Sequence, residues 1–137
     1  MTRRKLTLDE FFDRITAALR YRAPAPRRRI RGDEGVLMWR RKGLRAGVLV
    51  GPSVGGAFVV LGRVSEQIDA LPQAIALLED IFAGEIVEVE ATGVRNADLW
   101  MARADDPVRY VRTLDRSYSS AEVPVFESLR FRAWPGF

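Results

Sequence analysis

Between positions 36 and 62 the chain carries three apolar stretches, VLMWRRK (36–42), LRAGVLV (44–50) and GAFVVLG (56–62), joined by connectors too short to hold a helix. Lys42-Gly43 leaves room only for a tight hairpin turn, and GPSVGG (51–56) is glycine-rich enough for a second reversal. Leu44, Ala46, Val48 and Val50 alternate at the period of a half-buried strand. The third stretch is apolar on both faces, as a central strand is. Parallel neighbours need a long crossover, so short connectors predict an antiparallel meander of three strands.

Helix signals flank this block. Thr7-Leu8-Asp9-Glu10 is a capping box, in which the threonine hydroxyl takes an amide one turn on and the glutamate reaches back. Leu6 and Phe11 occupy the staple positions, and Leu8, Phe11, Phe12, Ile15, Ala18 and Leu19 recur at the helical period. A helix of about 14 residues is expected, stopping before Pro24. A second helix is expected from Asp69 to Ala83, with Pro72 in its first turn and Gly84 closing it. Glu79, Asp80 and Glu85 near its end oppose the helix dipole without a visible compensating cation, which marks an acidic corner for a basic partner or for the chain's own arginines.

IVEVEA (86–91) alternates, with Val87, Val89 and Ala91 expected inward and Glu88 and Glu90 outward, and DLWMARA (98–104) is its hairpin partner. Asp105-Asp106-Pro107 suits either a helix cap or a turn, while Val108, Tyr110, Val111 and Thr113 favour strand for 107–120. VPVFESLRFRAW (123–134) reads as a long strand with Val123, Val125, Leu129 and Phe131 on one face and Ser128, Arg130 and Arg132 on the other. The expectation is one α+β domain over 1–137: an N-terminal amphipathic helix, the three-strand meander, a second helix and further antiparallel strands. Residues 23–35 stand out as a flexible basic connector.

With no cysteine and no histidine, the chain has no disulfides, no thiolate or imidazole metal ligands and no thiol nucleophile. Carboxylates, arginines, Lys5, Lys42, tyrosines and serines remain, without diagnostic spacing. The pairs Asp33-Glu34, Glu79-Asp80 and Asp105-Asp106 are adjacent, and neighbours on a strand point to opposite faces, so they make poor metal pairs. GPSVGG lacks the Gly-Lys-Ser/Thr ending of a phosphate loop and precedes a strand where such a loop needs a helix. A non-enzymatic protein without metal or cofactor is expected. Asp9, Glu10, Asp13 and Arg14 interrupt any apolar leader, and no stretch is long and uncharged enough to span a bilayer, so a cytoplasmic location is expected.

Charge is polarised along the chain. Residues 1–50 carry 14 basic and 5 acidic side chains, whereas residues 51–106 carry 3 and 10. Of the 22 basic residues 20 are arginine, which makes forked contacts with carboxylate and phosphate that lysine cannot. Arg27, Arg28, Arg29 and Arg31, followed by Arg40, Arg41, Lys42 and Arg45, form the candidate partner-binding cluster, with Trp39 and Tyr21 nearby. If 27–31 is a connector or edge strand beside the Lys42-Gly43 hairpin, both groups lie on one side of the sheet. Three readings compete: an acidic protein partner, nucleic acid held through phosphates and base stacking, and solvation of an edge strand or pairing with Glu85, Glu88 and Glu90 of the same molecule. Glu79, Asp80, Glu85, Glu88 and Glu90 form the secondary acidic patch, a surface for self-association with the basic third. Arg31-Gly32-Asp33 matches an adhesion tripeptide that chance supplies readily in so arginine-rich a chain. Trp39, Trp100 and Trp134 are expected at the core or its edge, Trp134 the most exposed.

The order of elements is similar to that of small secretion-chaperone-like and immunity-protein-like domains, which work by binding another protein. That similarity and the basic cluster together imply a small binding protein of inhibitor, immunity, chaperone or adaptor type, with nucleic-acid binding through the same arginines as the alternative.

Overall fold

A computed structural model describes residues 6–92, 97–106 and 128–137. The first helix, α1 (Leu8–Ala18), starts at the expected capping box: Glu10 N donates to Thr7 Oγ1 at 3.1 Å and Thr7 N to Glu10 Oε1 at 3.4 Å. Phe12 and Ile15 are fully buried, as is Leu19 at the C-cap. The helix is shorter than its apolar period suggested, because residues 20–23 leave it in turns that close on Leu19 O.

Five strands follow as one antiparallel sheet in sequence order: β1 (Arg27–Arg31), β2 (Glu34–Arg41), β3 (Leu44–Gly51), β4 (Gly56–Leu61) and β5 (Val64–Ile68). The three expected strands are β2, β3 and β4. The meander is extended on both sides, by β1 from the arginine run and by β5 from VSEQI. Of connector and edge strand, residues 27–31 are the edge strand, paired from Arg27↔Met38 to Arg31↔Glu34. Lys42 (φ 48) and Gly43 (φ 79) are both left-handed, as a two-residue type I′ hairpin requires. Gly32 (φ 61) opens the β1–β2 turn, so the adhesion-like tripeptide is a hairpin corner. Between β3 and β4, GPSVGG reverses the chain around a single 3₁₀ turn at Pro52–Val54.

The second helix, α2 (Leu71–Phe82), has Pro72 in its first turn, and Gln73 Oε1 accepts the amides of Asp69 and Ala70. Its end is a Schellman motif: Gly84 (φ 76) donates to Ile81 O at 3.0 Å and Glu85 to Asp80 O at 2.9 Å. A second sheet, ordered β7-β6-β8, comprises β6 (Ile86–Thr92), β7 (Ala97–Arg103) and β8 (Ser128–Ala133). The strand readings of 107–120 and of Val123 and Val125 lie outside the described residues. No described helix is long and apolar enough to cross a membrane.

The helices pack on one face of the five-stranded sheet. Phe12, Ile15, Leu19, Leu78 and Ile81 meet Leu37, Trp39, Val48, Val59 and Leu61, and Ile86, Met101 and Trp134 join the second sheet to the same core. Burying each such aliphatic side chain contributes about 1.5–3 kcal/mol. Trp134 is not the exposed tryptophan expected near the C-terminus. It is 5% exposed and packs against Phe82 at 5.0 Å and Phe137 at 5.1 Å, because β8 returns the chain to the core edge. Val87, Val89, Ala91, Trp100 and Ala102 form a smaller cluster on the other side of the second sheet.

Candidate functional site

Residues opposite one another on antiparallel strands share a face, so the register sorts the basic cluster. On the face turned away from the helices, one row runs Arg29, Val36, Leu49, Phe58, Gln67 and the next Arg27, Met38, Gly47, Val60, Ser65. Arg31 stands beyond the first row and the Arg40↔Arg45 pair beyond the second. The outer face is therefore apolar at its centre, where Met38 and Val60 are buried, with Arg27, Arg29 and Arg31 along its β1 edge and Arg40 and Arg45 at one end, Arg45 Nε donating to Gly62 O at 2.9 Å. Met38 owes its burial to Gly47: a Cβ there would lie 2.9 Å from Met38 Sδ and 2.0 Å from Leu37 O, so only glycine lets the thioether lie across the strand.

At one end of this face a cleft of about 210 Å³ opens between Arg29, Arg31, Val36, Leu49, Ser53 and Val54. Its far wall is the 3₁₀ turn, held by Ser53 N donating to Glu34 Oε1 at 3.1 Å. A second hollow of about 400 Å³ lies at the other end, bounded by Pro24, Arg27, Arg40, Arg41 and Phe137.

The structure divides what the sequence had grouped. Arg28 falls on the helix side of β1, where Nη2 meets Asp13 Oδ1 at 2.7 Å, Nη1 meets Asp9 Oδ1 at 3.5 Å, and the guanidinium lies 5.8 Å from the Phe12 ring centroid. Arg41 shares that side by register, opposite Leu44, and Lys42 forms the turn. Trp39 is no partner-binding platform: it is 3% exposed, donates from Nε1 to Pro24 O at 2.7 Å and packs edge-on against Phe82 at 5.2 Å. Strand alternation is the cause, since Trp39 lies one position from Met38 and Arg40. Tyr21 is exposed, beside Arg22 at 5.3 Å from its ring.

The acidic patch is divided as well. Glu79 and Glu85 lie near Arg22, whose pKa is raised chiefly by its hydrogen bond to Tyr21 and further by these two carboxylates. Glu85 also faces Arg103 at 3.8 Å, so the acidic corner has cations that the sequence order concealed. Glu88 is the larger correction. Expected outward, it is completely buried, and its Oε2 accepts the Arg63 backbone amide at 2.6 Å while Oε1 meets Arg63 Nη2 at 3.1 Å and Arg132 Nη1 at 3.8 Å. Arg63 Nη2 also reaches Glu90 Oε2 at 2.9 Å, and Arg132 donates to Gly43 O at 3.4 Å. Those bonds, to Glu90 first and Glu88 next, hold the Arg63 pKa above its ordinary range, and Arg63 holds the Glu90 carboxyl below the usual carboxylate range.

Gly62 makes this junction feasible. Its φ is 61, and a Cβ would sit 2.2 Å from Glu88 Oε2. Glu88, Glu90, Arg63, Arg130 and Arg132 line an open cleft of about 630 Å³ between the two sheets. A signal for Arg63 was present: it is one of only three basic residues between 51 and 106, and it follows a glycine between two apolar runs. The junction uses its charges internally, whereas the outer face exposes Arg27, Arg29, Arg31 and Arg40 beside the half-buried Val36, Leu49 and Phe58. No family model, curated protein or solved structure matches the chain, and the functional reading rests on this geometry.

Proposed function

We propose that this chain is a cytoplasmic protein-binding module, of inhibitor, immunity, chaperone or adaptor type, whose outer sheet face receives an acidic protein partner. The observation that supports the reading is the half-buried surface of Val36, Leu49 and Phe58 on the outer face, bordered by exposed Arg27, Arg29 and Arg31 along the β1 edge and by Arg40 at one end; Met38 and Val60 of the same rows are buried. Protein interfaces combine an apolar centre with a polar rim, and arginine is enriched in them. A second copy docking through this same face would set arginines against arginines, so charge complementarity favours an acidic partner over a symmetric dimer at this site.

Nucleic acid is the competing reading, because the same guanidiniums suit phosphates. Its base-stacking component is weakened by the burial of Trp39, which among the described strand residues leaves the half-buried Phe58 as the aromatic on the outer face. Fluorescence anisotropy separates the two. A labelled acidic peptide with leucines spaced among Asp and Glu, and labelled single- and double-stranded oligonucleotides, are each titrated at low and physiological salt. Apolar contact is insensitive to screening, so peptide binding is expected to persist at physiological salt while oligonucleotide binding collapses. The reverse ranking would overturn the proposal in favour of nucleic acid.

A further inference from the structure

The outer face is not uniform. Most of it is sheet, but the cleft beside Arg29 and Arg31 has depth and a wall. At about 210 Å³ it is smaller than the roughly 300–1,000 Å³ of sites that enclose cofactors and drug-sized ligands. Its aliphatic lining comes from Val36 and Leu49 of the sheet and from Val54 of the 3₁₀ turn, which is 40% exposed. The wall is set in place by Pro52, by left-handed Gly55 (φ 81) and by the Ser53–Glu34 bond, so little ordering remains to be done on binding.

We infer that this cleft is an anchor pocket for a single large aliphatic or aromatic side chain of the partner, with Arg29 and Arg31 taking carboxylates that flank that anchor; the inference rests on the protein-binding reading above. Arg29 and Arg31 are two positions apart on one strand, hence about 7 Å along it. An extended partner segment repeats at the same interval on one face, so acidic residues spaced two apart match the pair. The Glu34 carboxylate is committed to the Ser53 amide at the pocket wall, where it disfavours a second carboxylate entering the pocket itself. That leaves an uncharged side chain as the fitting occupant. The partner segment is therefore extended, acidic at alternate positions and apolar at one position near them.

The test uses the full chain and two labelled peptides, the acidic peptide with leucines and the same peptide with every leucine replaced by serine. Burying one leucine is worth about 1.5–3 kcal/mol, so the leucine peptide should bind about tenfold to a hundredfold more tightly. Val54→Asp, an exposed position whose change should leave the thermal midpoint in place, is expected to erase that preference while residual acidic binding persists. Arg29→Glu combined with Arg31→Glu should weaken both peptides. Equal affinity for the two peptides would overturn the anchor pocket and leave the acidic-partner reading standing. A leucine preference that survives Val54→Asp would also overturn it, by placing the anchor elsewhere. Failure of both peptides to bind even at low salt would sink both readings together.

Discussion

Arginines at two places in this molecule do opposite things. At the junction of the sheets, Arg63 and Arg132 converge on a carboxylate that is wholly buried. Along β1, Arg27, Arg29 and Arg31 stand exposed on the outer face, while their neighbour Arg28 turns inward to pair with α1. Residue type is identical throughout, and what differs is the dielectric and the geometry of the partner. A buried carboxylate must be matched or the fold loses several kcal/mol, whereas a solvated guanidinium is available to whatever approaches it.

The sharpest way to break this contrast is to remove Glu88. Glu88→Ala strips the acceptor from the Arg63 amide, while the half-exposed guanidiniums of Arg63 and Arg132 can turn to water, so the expected loss in denaturant unfolding is about 1–3 kcal/mol. Gly62→Val should be comparably severe, since it combines a left-handed φ with a clash at Glu88 Oε2. A loss no larger than that of a surface arginine would show the junction to be an ordinary exposed ion pair. Trp39→Phe keeps the ring contact with Phe82 but abandons Pro24 O, and should cost about 1–3 kcal/mol by the same measurement. Arg28→Ala tests the middle of the scale: its ion pairs to Asp9 and Asp13 are solvent-accessible, so the expected cost is below about 1 kcal/mol and should shrink further with added salt.

Acid titration sharpens the junction from another side. Because Arg63 depresses the folded-state pKa of Glu90, the pair favours the folded state at pH above the ordinary carboxylate range. That contribution fades as pH falls through the folded value. Glu90→Gln should make the acid limb of stability against pH shallower, and an unchanged limb would show that the contact has no energetic weight. Smallest of all in stability is the triple change of Arg27, Arg29 and Arg31 to Glu, expected within about 0.5 kcal/mol of the parent. The same variant should lose binding to the acidic peptide. A marked drop in its unfolding midpoint would make the β1 arginines structural and erase the difference between the two regions.

Much of the backbone was legible because its determinants are local. A Thr-x-x-Glu box, a Lys-Gly pair between alternating runs and a glycine after an apolar helical stripe each act over a few residues, and α1, the β2–β3 hairpin and the end of α2 follow from them. The edge strands β1 and β5 were less legible. RRRIR and VSEQI carry little apolar pattern, and their strand state comes from pairing with β2 and β4. Side-chain fates were the least legible. Glu88 and Glu90 share one alternation signal, yet only Glu88 meets an amide and a guanidinium from a turn 25 positions earlier.

The sequence by itself determined the helix caps, the hairpin corners, the strand alternation and the polarity of charge, since each depends on backbone dihedrals or on residue order. The tertiary structure alone decided that Trp39 belongs to the core, that Arg28 serves α1, that Glu88 is buried and that Arg27, Arg29 and Arg31 line one edge of the outer face. Those outcomes depend on which distant segment supplies a partner and how much water it displaces, and no window of neighbouring residues contains that information.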